Sequence, residues 1–341
     1  MRKLRVLAIT HESLVPPENP TADEIEKAPW KMDYDVLKTL QELGHTVKTL
    51  GMSSELGPIR EAIKEFNPHI AFNLLDEFDG EILFDQNVVS YLELLGVPYT
   101  GCNPRGLILG RDKALSKKLL YYHRIPVPDF AVFRRGMRVK KPKKLEYPLI
   151  VKSLIEQASA GISQASVVSD DNALAERVKF IHEKIGTDAI AESFIEGREL
   201  YVGIVGNKRL QVFPVWELQF GNMAGGASRI ATAKVKFDIE YQKKREIKNV
   251  EASGIPEETL KKIQRICKRV YRVLDLNGYA RIDIRLRNDG KPFILEANPN
   301  PQIAWRDEFA ESAEKAGLSY PELIQKLLGL GLRWQPRRSK N

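Results

Sequence analysis

YARIDIRLRNDGKPFILEANPNP, residues 279–301, is the stretch on which the reading of this chain turns. Arg281, Asp283 and Arg285 alternate with Ile282, Ile284 and Leu286, the period of two of a strand with one polar and one buried face. Asn288, Asp289 and Gly290 predict a tight hairpin turn, because Asp-Gly supplies positive φ angles. A second strand over 293–297 then pairs back on the first and brings Glu296 and Asn298 beside Asp283. Two carboxylates and an amide oxygen, with no His or Cys among them, form a hard oxygen set suited to Mg²⁺ rather than zinc, with phosphate oxygens completing the shell. An isolated hairpin with a merely solvated polar face reads the same way, so the rest of the chain has to decide.

At 341 residues the chain is long enough for two or three domains with a substantial core. Hydrophobic residues make up 43% and charged residues 29%, an ordinary globular balance, and no apolar run approaches the ~20 residues of a membrane span. Residues 1–10 lead into a strand and lack the pattern of a secretory signal. Cys102 and Cys267 are the only cysteines and have no clip spacing, so a cytoplasmic setting is expected. The net charge of +8 is spread among acidic residues, and its clusters at 140–144 and 333–340 read as a loop and a tail rather than a nucleic-acid surface. A polyanionic small substrate such as ATP accounts for basic side chains equally well.

Over 1–101, strands (5–10, 46–50, 69–74, 97–100) alternate with helices (34–44, 59–66, 86–95), the mark of a parallel α/β sheet. Residues 12–29 read as a loop, and the acidic loop 76–80 stands where parallel sheets line a ligand crevice. No G-x-G-x-x-G follows the first strand, which argues against a dinucleotide site. The next segment predicts one helix through Arg111, Asp112 and Lys113 to His123, strands at 129–133 and 148–152, a small-residue loop suited to anion approach, a returning strand at 163–168 and a helix at 172–185. Strands at 189–194, 199–205 and 209–217 follow, then a Gly-rich, lid-like 220–228, Lys234 and Lys236, and helices at 257–274, 310–317 and 320–328. Phe194 and Ile195, set among Glu192, Glu196 and Glu199, suit either an apolar slot for a base or a plain interdomain turn.

Walker A, H-E-x-x-H, G-x-S-x-G and paired C-x-x-C motifs are absent. Four other pieces stand in order: LELLGVPYTGCNPRGLILGRDKALSKKLL (92–120), PLIVKSLIEQASAGIS (148–163), AIAESFIEGREL (189–200) and the hairpin. Together they resemble the ATP-grasp superfamily and, within it, the D-alanine:D-alanine ligase branch, over nearly the whole chain. The resemblance implies an N-terminal parallel α/β domain (1–101) and two α+β subdomains (102–188 and 189–341) that clamp ATP. It implies that Lys113 and Lys152 hold the ATP phosphates under the loop carrying Glu156, Ser159 and Gly161, while Glu192, Phe194 and Ile195 frame adenine and Glu199 takes the ribose. Asp283, Glu296 and Asn298 would hold two Mg²⁺ (or Mn²⁺) ions, and Arg281 and Lys234 would face the transferring phosphoryl group. The implied reaction is ADP-forming ligation of a carboxylate to an amine through an acylphosphate. Small carboxylates and amines of the amino-acid or peptide class are the implied partners, without nucleic acid or membrane, and a homodimer stays open.

The departures from that family fall on its amino-acid half. Its members open with a Gly-rich segment and a Glu for the first ammonium, whereas here the first strand runs into THESLVPPENP (10–20), with Glu12 as the nearest substitute. The family's second loop serine falls on Ala158 and its Tyr beside Lys234 falls on Val235. After the metal Asn the chain reads NPNPQIAWRDE (298–308), with Gln302 in place of Gly and Asp307 near the expected Ser. Two D-alanines are therefore not expected as substrates, and Asp76, Glu77, Arg306 and Asp307 join Glu12 and Gln302 as candidate contacts for the true pair. A phosphotransferase, an ATP-binding protein without chemistry and an ordinary D-alanine:D-alanine ligase are the competing readings. Arg281 and the full set of cations and metal ligands speak for a ligase.

Overall fold

The computed structural model describes residues 3–156, 161–221, 230–232, 234–235 and 238–336, and three sheets organise them. The first contains β1 (Arg5–His11), β2 (Thr46–Met52) and β3 (Ile70–Asn73) in the order β2-β1-β3, all parallel. It is wrapped by α1 (Ala22–Lys27), α2 (Lys31–Glu42), α3 (Gly57–Phe66) and α4 (Asp85–Leu95). Val6, Leu7, Ala8 and Ile9 are all fully buried, as expected of a parallel strand covered on both faces. The strand expected at 97–100 is reduced to a bridge between Tyr99 and Ala71, because Pro98 has no N–H to give the ladder. Part of the expected loop 12–29 is helical instead: Thr21 and Glu24 exchange side-chain and backbone hydrogen bonds and start α1.

The single helix expected through Lys113 is two, α5 (Pro104–Arg111) and α6 (Lys113–Tyr122). Asp112 breaks it, because its carboxylate accepts the N–H groups of Ala114 and Leu115 at 2.9 and 2.8 Å and so caps α6. Arg111 consequently turns one way, into a buried ion pair with Asp85, and Lys113 the other. The second sheet is antiparallel, in the order β4-β7-β5-β6, with β4 (Phe130–Phe133), β5 (Leu149–Ser153), β6 (Val167–Val168) and β7 (Ala189–Ser193). A turn at Gln164–Ser166 shortens the expected returning strand to β6, α7 (Asp171–Phe180) follows it, and β7 carries this sheet past residue 188.

The third sheet holds β8 (Arg198–Val205), β9 (Gln211–Gln219), β10 (Lys248–Glu251), β11 (Tyr279–Leu286) and β12 (Pro292–Pro299) in the antiparallel order β10-β9-β8-β11-β12. The helices of this part are α8 (Ile239–Arg245), α9 (Glu257–Val273), α10 (Glu308–Lys315) and α11 (Tyr320–Arg333). Ile263, Cys267 and Val270 of α9 join Ile282, Ile284 and Ile294 of the hairpin in one core. The hairpin turn differs from the Asp-Gly expectation: Gly290 alone has a positive φ, 78°, and a three-residue loop is closed by Arg287 and Lys291. Of the lid-like stretch, Phe220 and Gly221 are described and 222–228 lie outside the described residues. Among the described residues no helix is long and apolar enough to cross a membrane.

Where β1 ends, Thr10 donates its hydroxyl to Oδ1 of Asp33 on the first turn of α2. Asp33 is 1% exposed, and its other oxygen has no hydrogen-bond partner among the described residues. Burial pushes its pKa up from 3.8 to about 6, against the Thr10 hydrogen bond, and the charge of Asp76 adds to the rise. The folded protein thus binds this proton more tightly than the unfolded chain does, so the contribution to stability is greatest below pH 3.8 and is lost as pH climbs to about 6. Urea titrations of wild type and Asp33→Asn between pH 4 and 7 should show wild type losing about 2–3 kcal/mol relative to the variant. Parallel pH profiles would place this titration elsewhere.

Candidate active site

The hairpin meets its expectation by an unexpected route. Asp283 faces Glu296 and Arg281 faces Asn298 across β11 and β12, while the next pair is Ile284 with Ile294, so Leu295 has no register partner. This β-bulge decides which residues reach the site. Regular pairing continued from Ile284 and Ile294 would set Glu296 opposite Ile282, on the apolar side. The bulge moves it over: Ile294 and Ala297 are buried in the core at 0% and 2% exposure, while Leu295 and Glu296 both line a cleft. The polar face of β11 is not solvated either, since Asp283 and Arg285 are only 3% and 4% exposed beneath that cleft.

Both antiparallel sheets contribute to the cleft. Lys152 and Glu192 come from the second sheet, Asp283, Glu296 and Glu199 from the third, and Phe194 and Ile195 from the connection between them. Lys113 reaches in from the first position of α6, and its ammonium donates to the Glu156 carbonyl at 2.5 Å. Ile162 reaches the cleft but Gly161 does not, its carbonyl being taken by Arg177. Ser159 and Ala158 lie outside the described residues.

Glu192, expected to frame adenine, lines the cleft, is fully buried and is paired with two lysines. Lys117 Nζ lies 3.2 Å from its Oε1 and Lys152 Nζ 3.2 Å from its Oε2. Burial alone would raise its pKa, but the two ammonium groups hold it below the ordinary carboxylate value. Burial also opposes the charge on Lys152, yet Glu192 and Glu296 outweigh it and raise the lysine. For Lys113 and Lys117 burial prevails, and both fall below the usual lysine value. Burial thus disfavours the charge on Lys113 and Lys117, a cost that an incoming polyanion would relieve. Lys117 was not singled out from the sequence, although its place four residues after Lys113 sets it on the same helix face.

Two arginines on β11 organise the acids. Arg281 donates Nε and Nη2 to Asp283 at 2.7 and 2.9 Å and Nη1 to Glu308 at 2.5 Å, with its guanidinium 4.8 Å from the Tyr201 ring. Arg285 pairs with Glu199 at 2.5 Å and donates to the Gly197 carbonyl at 2.9 Å, while Tyr201 donates its hydroxyl to the other Glu199 oxygen at 3.1 Å. Arg285 and Glu308 also went unmarked in the sequence. The first was visible as the next same-face position of β11, whereas nothing local marked the second.

The remaining candidates divide. Lys234 is exposed and does not line the cleft, and Val235 beside it is buried against Tyr201 and Trp216. Glu12 is exposed on a short turn, Glu77 lies 3.5 Å from His11, and Asp76 is exposed with its carbonyl 3.4 Å from Arg111. Gln302 is exposed, and Arg306 stacks over Trp305 at 4.2 Å. Asp307 stands nearer the chemistry: burial pushes it up to about 6, the charges of Lys31 and Arg281 oppose that rise, and Glu308 and Asp35 reinforce it. Its segment is docked on α2, with Trp305 N–H donating to Asp35 at 2.9 Å and Lys31 donating to the Trp305 carbonyl at 3.1 Å.

Among the described residues, no three His, Cys, Asp or Glu side chains converge into a metal cage. The donors that face one another are Asp283 and Glu296, with Asn298 next on the same strand and its amide nitrogen buried without a hydrogen-bond partner among the described residues. Such a set fits a hard ion that keeps water and phosphate oxygens in its shell and does not fit an all-protein site.

Comparison with known proteins agrees with this geometry. The family model for the D-ala D-ala ligase C-terminus matches residues 119–329. The uncharacterized protein y4sG of Sinorhizobium fredii is 31% identical over 316 residues, covering 89% of each chain. The D-alanine–D-alanine ligase of Pelotomaculum thermopropionicum is 27% identical over 309 residues, covering 87% of this chain and 92% of its own. In fold, the D-alanine–D-alanine ligase of Bacillus anthracis complexed with ATP superposes with a TM-score of 0.73 at 20% identity, over 97% of this chain and 98% of that one. The chain belongs to the D-alanine–D-alanine ligase family of ATP-grasp enzymes, and it is an ATP-dependent ligase that forms a C–N bond.

Proposed function

We propose that the enzyme joins a carboxylate to an amine, with ADP and phosphate as the other products, and that its substrates are not two D-alanines. The observation that carries the reading is the single cleft in which Lys113 and Lys152 oppose Asp283 and Glu296. We read residues 1–101, 102–188 and 189–341 as the three units, with β7 lent to the middle sheet. In this reading Lys113 and Lys152 bind phosphates, Phe194 and Ile195 contact the base, and Glu199, oriented by Arg285 and Tyr201, receives the ribose. Asp283, Glu296 and Asn298 would hold Mg²⁺, two ions in all, which when bound neutralises the charge of the phosphoryl group being transferred. The donor carboxylate forms an O–P bond to the γ-phosphorus as the bond to the ADP oxygen breaks. The amine then forms the C–N bond, phosphate leaves with the C–O electron pair, and the amine loses a proton. Arg281 stands beside the reacting groups to stabilise charge that builds up in both steps.

The substrate half supports a departure from D-alanine. Glu308 accepts a hydrogen bond from Arg281 Nη1 at 2.5 Å, and Asp307 lies close by. An acceptor that set its own carboxylate against Arg281 would compete with Glu308 and meet Asp307. Amines without a neighbouring carboxylate avoid both costs.

Two outcomes test these assignments. Asp283→Asn and Glu296→Gln should each lower kcat by at least about 10²-fold without loss of fold, because each removes an anionic ligand from an oxygen-only set. Turnover near wild type at ordinary Mg²⁺ in either variant would remove the metal assignment. In a phosphate-release assay with Mg²⁺ and K⁺, millimolar D-alanine should give little turnover, whereas a panel of carboxylates and amines, with the product identified by mass spectrometry, should contain a pair that turns over. Vigorous formation of D-alanyl-D-alanine would restore the ordinary ligase reading.

A further inference from the structure

Lys117 makes contacts that no role in the reaction has yet used. Its side chain is 1% exposed, and its ammonium touches both halves of the site. On one side it lies 3.2 Å from Glu192 on β7, and on the other it donates a hydrogen bond to the Leu295 carbonyl, 178 residues further along the chain. Leu295 is the bulged residue that turns Glu296 toward Asp283. β12 is the edge strand of its sheet among the described residues, its outer side is met beside the bulge by the Pro126 carbonyl, which accepts the Ile294 N–H at 2.9 Å, and a bulge is where a ladder is most easily rearranged. Glu192 is shared with Lys152, so a second cation on Glu192 leaves the Lys152 ammonium less neutralised and freer to meet a phosphate.

We propose that Lys117 is the positioning residue that sets the metal-binding hairpin against the phosphate-binding lysines, by pinning the Leu295 bulge and by sharing Glu192 with Lys152. The proposal rests on the reading of the cleft as an ATP and Mg²⁺ site. It assigns Lys117 two separable effects. Loss of the hydrogen bond to Leu295 loosens the placement of Glu296 and weakens metal binding. Loss of the charge beside Glu192 lets that carboxylate draw fully on Lys152 and weakens phosphate binding.

The two effects separate in a pair of variants, Lys117→Met and Lys117→Met/Glu192→Gln, with Lys118→Met as a control at the exposed neighbouring lysine. Bound Mn²⁺ is counted by electron paramagnetic resonance in the presence of a non-hydrolysable ATP analogue, and the analogue alone is titrated calorimetrically in EDTA. Mn²⁺ affinity should fall about tenfold in both Lys117 variants, the range seen when a residue that orients a metal ligand is removed. Metal-free affinity for the analogue should fall in the single variant and recover in the double one. Lys118→Met should match wild type. In the double variant Lys152 loses Glu192 but keeps the charges of Glu296 and Glu199, and this variant carries the test if the single one fails to fold. Wild-type Mn²⁺ affinity in a folded Lys117 variant overturns the proposal. Absence of Mn²⁺ and analogue binding in wild type overturns the underlying reading instead, and this proposal with it.

Discussion

A regular strand sends successive side chains to opposite faces, and the site depends on a place where this alternation is locally suspended. At Leu295 the ladder skips a residue, so that Glu296 leaves the side of Ile294 and joins Asp283. Two carboxylates directly opposite each other would by themselves be unfavourable. The surrounding residues bring the compensation: Arg281 takes both oxygens of Asp283, and Lys113 and Lys152 feel the charge of Glu296. The same logic repeats outward, with Arg285 on Glu199, Lys117 and Lys152 on Glu192, and Arg111 on Asp85. Buried ion pairs of this kind add little net stability, but losing one partner is costly, so the cluster holds its members to one arrangement.

What the sequence made legible follows from how local each signal was. The alternation of Arg281, Asp283 and Arg285 with Ile282, Ile284 and Leu286 is complete within six residues, and β11 spans all of it, though both sets are largely buried. The cleft residues Lys113, Lys152, Phe194 and Ile195 were legible through the order of four motifs. Asp112 sat inside a helical pattern, and its capping role needed only the two N–H groups that follow it, yet the apolar periodicity on either side concealed the break. The bulge was invisible because a single extra residue has no composition. The partners of Glu192 were invisible because the pairing of β5 with β7 and the packing of α6 bring lysines from two different elements to one carboxylate.

The substrate half was least legible, for the same reason in stronger form. Asp307 and Glu308 acquire meaning only because the segment before α10 docks on α2 through Trp305, Asp35 and Lys31, some 270 residues apart in the chain. Glu12 and Gln302, which looked equivalent to them in the sequence, end on the surface. Charge type alone does not separate a residue that a helix carries into the site from one that a turn leaves in solvent.

The Asp112 break has a consequence for the order in which ligands act on one another. Arg111 is fastened to Asp85 at the start of α4 and reaches the Asp76 carbonyl in the acidic loop, while Lys113, two residues on, grips the loop at Glu156. One capped turn therefore joins the crevice of the parallel sheet to the Glu156 loop of the cleft. A ligand that reoriented residues 76–80 would pull on Arg111 and through it on Lys113. Thermodynamic linkage would make such a pull mutual, so two ligands joined by this turn would change each other's affinity by the same factor.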